Sequence, residues 1–448
     1  MRPLFKAVYR LFRLVSGVRY RLGRRLTPAG IAVAGAVVLA AIMGPDTEAN
    51  VVYQGFVLLV CLLLVAACFT GHFRFRFSAQ RQLPRFATAG TPMQYSVELR
   101  NLTGANQAGL TLLETLADPR PSFEDWFEAQ LAQERQMRPF RLSASRRSMP
   151  FVPPLVKPAA VPTLAPGQEE RVRLELTPLR RGVLRFAAVT LARPDPLGLV
   201  RSFQTMELPQ TVLVLPRRYP LPPLALPGTM KYQQGGVAQA SRVGQSEEFV
   251  ALRDYRRGDP LRHIHWRTWA KAGKPVVREF EDEFFVRHAL VLDTFAEPEQ
   301  GAACEEAISI AASFACTIIT QESLLDLLFV GPESYSFTAG RNLAHADQML
   351  EILAAVRPCR DKPFRELEHL VLSHVSVVSG CICVLLAWDS ARRALVDKLQ
   401  ALGVPVLVLV VVEPGRAKEV AAALRQAAPE RYAVLEVGAI EEGLAKLQ

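Results

Sequence analysis

The 448-residue sequence contains no GxxxxGK[ST] run, no GxSxG elbow, no HExxH pair and no CxxC pair. Gly273-Lys274 is followed by Pro275, so the hydroxyl that would reach a nucleotide's magnesium is missing and a P-loop ATPase is excluded. Gly244-Gln245-Ser246 runs into Glu247 and Glu248, which excludes the nucleophile elbow of an α/β-hydrolase. Cysteine is sparse and odd in number, seven in all, with none at zinc spacing. Cys61 and Cys68 lie inside an apolar run, and Cys304, Cys316, Cys359, Cys381 and Cys383 are scattered through core-like elements. That distribution excludes a disulfide framework and suits a reducing compartment. Cys381 and Cys383 share one face if they lie on a strand, and read as buried core. The expectation is a protein that is not an enzyme.

Acidic residues are absent from positions 1–28, which carry Arg2, Lys6, Arg10, Arg13, Arg19, Arg21, Arg24 and Arg25. The net charge of +10 is therefore local: the rest of the chain holds 45 basic against 43 acidic residues. A nucleic-acid-binding domain needs its basic face in the folded part, so nucleic acid is not an expected partner. Two runs lack charge altogether, Ala29–Gly44 and Val51–Phe69, in a chain of mean hydropathy +0.14. At ~1.5 Å per residue the second spans about 28 Å, enough for a bilayer core; the first is slightly short, and Leu26 extends it. Arg74, Arg76, Arg81 and Arg85 follow the second run, while the loop between the runs carries Asp46 and Glu48. Basic residues on both outer flanks predict a hairpin with both chain ends in the cytoplasm of a bacterium, anchored in its inner membrane. Leu4, Phe5, Val8, Leu11, Phe12, Val15, Val18 and Leu22 recur at three- and four-residue steps among the arginines. Residues 4–22 thus read as an amphipathic helix on anionic lipid of the inner leaflet, with docking on the protein's own folded part as the alternative.

Short alternating segments follow. Tyr95–Leu99, Arg171–Leu176, Val183–Leu191 and Val212–Leu215 read as strands bounded by Pro, Gly, Asn and Asp clusters, which suggests an antiparallel β-sandwich. Residues 118–162, rich in proline and arginine, interrupt it without a clear period. SFEDWFEAQLAQE is a candidate short helix inside that insertion.

Residues 243–283 interleave both signs of charge with Phe249, Tyr255, Trp266, Trp269 and Phe280. Such a segment satisfies itself by ion pairs and does not resemble a phosphate-binding stripe. Gly258-Asp259-Pro260 has the grammar of a turn into a helix, with Asp259 as N-cap. His263 and His265, with nearby carboxylates, raise a metal site, but spacing fixes no third ligand. The run EFVALRDYRRGDPLRHIHWRTWAKAGKPVVREFEDE resembles the hallmark of the domain-of-unknown-function family fifty-eight. LRRGVLRFAAVTLARPDPLGLVR (179–201) and HADQMLEILAAVRP (345–358) are similar to further parts of its pattern. The resemblance implies an interaction surface at Glu248, Phe249, Leu252, Arg253, Tyr255, Gly258, Asp259, Arg262, Ile264, His265, Trp266, Arg267, Ala270, Lys271 and Glu279. It also implies a MoxR-type AAA+ ATPase as partner.

From about residue 287 apolar strands alternate with helices: strand Ala289–Asp293, helix Ala302–Thr320, strand Leu324–Val330, helix Leu343–Val356, strand Cys381–Ala387, helix Ala391–Leu402, strand Val404–Val412, helix Ala417–Ala427 and strand Tyr432–Val437. The pattern predicts a doubly wound parallel sheet. By resemblance it is von Willebrand factor A-like, a fold whose Mg²⁺ site uses an Asp-x-Ser-x-Ser loop after the first strand. Here Asp293 stands, but Phe295 and Glu297 replace the serines, and Asp389 approaches the same crevice from beyond the later strand. A phenyl ring cannot ligate Mg²⁺, so the metal site reads as degenerate, with Asp293 and Asp389 its possible remaining ligands.

The expected architecture is thus a multidomain, membrane-anchored chain. It comprises an interfacial helix (1–27), a transmembrane hairpin (28–72), a β-sandwich-like domain (73–220, insertion at about 118–162), the charged signature segment (221–286) and the α/β domain (287–448). The leading functional expectation is a membrane-tethered adaptor that binds a MoxR-type ATPase and other membrane proteins. The alternatives are divalent-metal-dependent ligand binding at Asp293 and Asp389, and a metal-dependent hydrolase using Asp259, His263 and His265.

Overall fold

The computed structural model describes residues 2–43, 51–70, 75–117, 123, 126, 127, 155–222, 249–257, 259, 261, 264–280, 287–297, 300–320, 324–340, 343–427 and 431–447. The chain divides into two compact units, Met1–Leu215 and Pro216–Gln448.

The first unit begins with helices α1 (Arg2–Arg25), α2 (Pro28–Met43) and α3 (Val51–Thr70). Helix α2 does not extend back to Leu26, which instead bridges Val200 of the folded part. Thr27 ends the extension: its hydroxyl accepts the Gly30 N–H at 3.0 Å as an N-cap, and Pro28 takes the first helical position, where a missing N–H costs nothing. Among the described residues two helices are long and apolar enough to cross a membrane, α3 and Gly301–Ile318. They differ in burial: the buried residue of α3 is Ala66, whereas residues 301–318 are two-thirds buried as a core helix. Helix α2 is apolar but shorter.

After α3 the described residues form nine strands: β1 (Phe77–Gln82), β2 (Phe86–Thr88), β3 (Met93–Asn101), β4 (Thr111–Leu116), β5 (Leu155–Val156), β6 (Ala159–Ala160), β7 (Glu169–Thr177), β8 (Gly182–Pro194) and β9 (Arg201–Leu215). They form two sheets, β1-β3-β7-β5 and β2-β9-β8-β4-β6, antiparallel except for β2 against β9. Alternation builds the core between them. Tyr95, Val97 and Leu99 of β3 and Val172, Leu174 and Leu176 of β7 face Leu112, Phe186, Val189, Leu191, Val212 and Val214 in one cluster. Strands β5 and β6 fall inside the stretch expected to lack period. Two residues each are too short to carry one; they pair with β7 and β4, and Val156 and Ala159 pack on the core. Of the remaining insertion, Phe123, Trp126 and Phe127 are described and helical.

The second unit contains a hairpin of β10 (Phe249–Asp254) and β11 (Val276–Phe280), with helix α4 (Trp266–Ala272) between them. A six-stranded sheet follows, built from β12 (Arg287–Leu292), β13 (Leu324–Val330), β14 (Ser334–Ala339), β15 (Gly380–Leu385), β16 (Val406–Val412) and β17 (Arg431–Glu436). Its order is β14-β13-β12-β15-β16-β17, parallel throughout except for β14 at one edge. The helices are α5 (Gly301–Thr320), α6 (Leu343–Ala355), α7 (Arg365–His374), α8 (Ser390–Ala401), α9 (Ala417–Ala427) and α10 (Ile440–Leu444). Strands covered on both faces can be apolar at every position, and all seven residues of β16 are buried. One face packs Val291, Cys383 and Val408 against Leu367, Leu395, Val396 and Leu424; α5 packs on β12, β13, β15 and β16. Cys381 and Cys383 face the same side, Sγ atoms 3.6 Å apart and both buried, where hydrogen bonding to Cys383 and burial hold the Cys381 thiol protonated.

Candidate functional site

Two places collect the residues singled out by sequence. In the signature segment, β10 and β11 pair antiparallel, with Arg253 opposite Val277, Leu252 opposite Arg278 and Ala251 opposite Glu279. Ile264 and, on β11, Val276 and Val277 are buried, and Ile264 bridges Val277. The His265 N–H donates to the Val276 carbonyl at 2.8 Å, which places α4 against β11. The described helix starts at Trp266, with His265 at the N-cap position, so Asp259 does not cap it. Asp259 instead receives both terminal nitrogens of Arg253 at 2.7 Å and the Arg256 N–H at 2.8 Å. The Arg253 hydrogen bonds, then that of the Arg256 backbone, hold its carboxyl down at about 2. Gly273, at φ 67°, ends α4 by donating to the Trp269 carbonyl, a left-handed cap that glycine adopts at least cost. Lys274 pairs with Asp254 at 2.8 Å.

Beside these two pairs, the segment presents aromatic and basic groups. Trp266 is 64% exposed and stacks on Trp269 at 5.1 Å; Leu252, Arg267, Ala270 and Lys271 are also exposed, and Tyr255 is half-buried. His265 Nδ1 is 2.6 Å from the Thr268 hydroxyl, which engages that ring nitrogen. Glu248, Gly258, Arg262 and His263 lie outside the described residues, as do the side chains of Phe249 and Glu279.

The second place is the crevice at the carboxyl ends of β12 and β15, where the strand order reverses and where doubly wound sheets form their sites. Asp293 leaves β12 fully buried, and Asp389 caps α8 by accepting the Arg392 N–H at 2.9 Å. Both carboxylates reach this crevice, but a third residue lies between them. Arg392 Nε donates to Asp293 Oδ2 at 2.6 Å, one terminal nitrogen donates to Asp389 Oδ2, and the other to the Phe295 carbonyl at 3.2 Å. The guanidinium also lies 4.9 Å from the Phe364 ring centre. Asp293 further accepts N–H groups from Leu386 and Phe295, each at 3.0 Å. Burial opposes the Arg392 charge, and Asp293 and Asp389 outweigh it, so its pKa is raised.

These residues do not fit Mg²⁺, which needs a near-octahedral shell of oxygens. The Asp293 oxygens are committed to three donors, the Phe295 ring packs edge-on against Phe364 at 5.5 Å, and a cation already bridges the pair. Among the described residues no group of three or more His, Cys, Asp or Glu side chains is placed to hold a metal. Arg392 escaped sequence reasoning. Its signal was its place three residues after Asp389, on the same face of a helix.

Residues 251–420 match the family model described as "Protein of unknown function DUF58". The uncharacterized protein YeaD of Bacillus subtilis (strain 168) is 28% identical over 184 residues, 40% of this chain. The match spans 44% of that relative's length. Among solved structures, a CARDB domain from Pyrococcus furiosus aligns with 32% of this chain and 91% of its own, at 16% identity and a TM-score of 0.18. The ASH/PapD-like domain of human CEP192 aligns with 31% of this chain and 87% of its own, at 11% identity and a TM-score of 0.18. Scores that low carry no argument about fold or activity, and the similarity to DUF58 is that of residues 251–420.

Proposed function

We propose that this chain is a membrane-tethered adaptor whose signature hairpin docks on a partner protein, a MoxR-type AAA+ ATPase. The observation that carries the reading is the stack of exposed Trp266 on half-buried Trp269, flanked by Arg267 and Lys271, on a scaffold where Arg253 pairs with Asp259 and Lys274 with Asp254. Tryptophan and arginine dominate the energetics of protein interfaces, and preorganised aromatic pairs lose little entropy on binding. Helices α2 and α3 form the tether as a transmembrane hairpin, since Val38, Leu39, Ile42, Leu58, Leu64 and Phe69 point outward without covering protein. Basic flanks place both chain ends in the cytoplasm. The strand order 3-2-1-4-5-6 within the α/β domain, with its third strand antiparallel, supports a von Willebrand factor A-like reading, in a form that Arg392 locks without metal.

The test uses full-length protein in detergent, immobilised and presented with a purified MoxR-type ATPase in ATP-analogue, ADP and nucleotide-free states. Nucleotide-dependent capture is expected, with Trp266→Ala weakening it at least ~10-fold, about 1.4 kcal/mol. No capture in any state, or capture indifferent to Trp266→Ala, removes the proposal.

The metal-dependent alternative predicts a thermal shift with Mg²⁺ or Mn²⁺ that disappears in Asp293→Ala. The hydrolase alternative is weakened because Asp259 and His265 are engaged by Arg253 and Thr268.

A further inference from the structure

Helix α1 carries two apolar faces, and among the described residues only one of them is covered. Phe5, Tyr9 and Phe12, at four- and three-residue steps, meet the aromatic residues of the insertion. Phe5 lies edge-on to Phe127 at 5.2 Å, Tyr9 is 5.5 Å from both Phe123 and Trp126, and Phe12 stacks on Trp126 at 6.2 Å. Tyr9 and Trp126 are buried by this contact. Docking on the protein's own folded part, the alternative reading of residues 4–22, is therefore realised for this face. It also fixes the helix's rotation. Lys6 sits 5.6 Å from the Phe123 ring centre, and Arg24 donates to the Thr115 hydroxyl at 3.0 Å.

The second face lies about 120° around the helix at ~100° per residue. It consists of Val8, Leu11, Leu14, Val15, Val18 and Leu22, which are 46–64% exposed. By spacing in the sequence, positions 10 and 21 fall on one margin of the stripe and position 19 on the other, all three arginine, while Arg25 falls within its last turn. An apolar stripe with cationic margins is the pattern of a helix lying in a lipid interface, where stems bury and charged heads reach phosphate.

Two further observations say what covers it. No acidic residue occurs in residues 1–28, so a neutral or cationic partner gains nothing there and an anionic surface gains from every margin. The stripe is also continuous with the proposed tether: α1 ends at Arg25, and α2, with Ile31, Val38 and Leu39 exposed, begins at Pro28. The junction is held. Thr27 N–H donates to the Leu199 carbonyl at 3.0 Å, and the close approach of Leu199 leaves no room for a side chain at Gly30.

We infer that α1 is a lipid-facing outrigger. The insertion's Phe123–Trp126–Phe127 cluster clamps one side of it, and its Val8–Leu22 stripe lies in the headgroup region of an anionic leaflet. The inference rests on the membrane-tether reading of α2 and α3. Its consequence is that the insertion acts as the bracket that aims α1 at the bilayer.

The test places an environment-sensitive fluorophore at Leu14→Cys, or at Lys6→Cys as control, in full-length protein with Cys61, Cys68 and Cys316 replaced by serine. Protein is reconstituted in nanodiscs containing either neutral lipid alone or one-third anionic lipid, each with spin-labelled acyl chains. Quenching at Leu14 several-fold above that at Lys6 is expected in anionic discs, falling at least twofold in neutral discs. Trp126→Ala should reduce the contrast between the two positions while leaving a folded β-sandwich by circular dichroism. Three results overturn the inference: equal quenching at Leu14 and Lys6, equal quenching in the two lipids, or energy transfer between labelled copies without lipid quenching. Failure of the tether reading is distinct, because the protein would then not incorporate into discs at all.

Discussion

Arg392 gives the crevice a fixed internal cation, and removing it leaves Asp293 buried beside N–H donors but without a counter-charge. Breaking a buried pair from one side costs about 3–5 kcal/mol, so Arg392→Met should lower unfolding free energy by roughly that amount. A double-mutant cycle with Asp293→Asn checks the cause: the double variant should lose clearly less than the sum of the single ones. In thermal melts, wild type is expected to ignore millimolar Mg²⁺. A magnesium-dependent rise abolished by Asp293→Asn would show that the carboxylates bind metal instead of the guanidinium. His288 offers a pH test. It is 2% exposed on β12, its Nδ1 has no hydrogen-bond partner, and burial lowers its pKa to about 4. The unfolded imidazole titrates near ~6.5, so the unfolded state binds the extra proton between these values. Its share of stability is whole above pH ~6.5 and is lost as pH falls toward about 4. Burial raises the carboxyls of Glu114 and Glu413, which act with the opposite sign. The readout is therefore the difference between wild type and His288→Leu, whose melting temperature should fall less from pH 7 to pH 4.5.

At the scale of elements, the turn between β8 and β9 joins the sandwich to the apolar helices. Asp195 accepts N–H groups from Leu197 at 3.1 Å and from Leu199 and Val200 at 2.7 Å, while Gly198 takes φ 68°. The ordered turn then offers its Leu199 carbonyl to Thr27 and packs that residue against Gly30, where a Cβ would lie 2.0 Å from the Leu199 oxygen. Asp195→Ala leaves three N–H groups unmatched in a part-buried turn and should cost about 1–3 kcal/mol, measured on the sandwich transition in detergent. Gly30→Ala should do similar damage from the helix side, because backbone must move. A variant as stable as wild type would mean that the turn and helix do not meet this closely. The DPLG run was visible in sequence as part of a family-like pattern. Its work at the foot of α2 was not, because Thr27 and Leu199 are 172 residues apart.

Legibility varied with burial. The strand read at Leu324–Val330 and the helix at Ala417–Ala427 have those same bounds in the structure, since both-face burial or strong amphipathicity writes itself into composition. Strand β14, Ser334–Ala339, was not read: it is an exposed edge whose alternation is largely polar. Strand β9 was read only from Val212, although it begins at Arg201, because its first part is mostly half-exposed. The candidate site shows the same division. Asp293 was singled out from a loop pattern and Asp389 from its place beyond a strand, whereas the guanidinium that bonds both depends on helix α8 being seated beside that loop.

For the whole molecule, the charge pattern yields a topology prediction. A fluorescent protein fused after Gln448 should light up in the cytoplasm, and alkaline phosphatase fused at the same point should be inactive. Active phosphatase there would invert the proposed orientation and remove access to a cytoplasmic ATPase. By itself, the sequence determined the two uncharged runs, the one-sided basic N-terminus, the alternation that makes sheets and the charged signature, because each is a local or periodic property. Tertiary structure decided which cation neutralises Asp293, which aromatic residues cover α1 and what holds the foot of α2. Those depend on atoms brought within a few ångströms across long stretches of chain, a distance that no spacing in the sequence encodes.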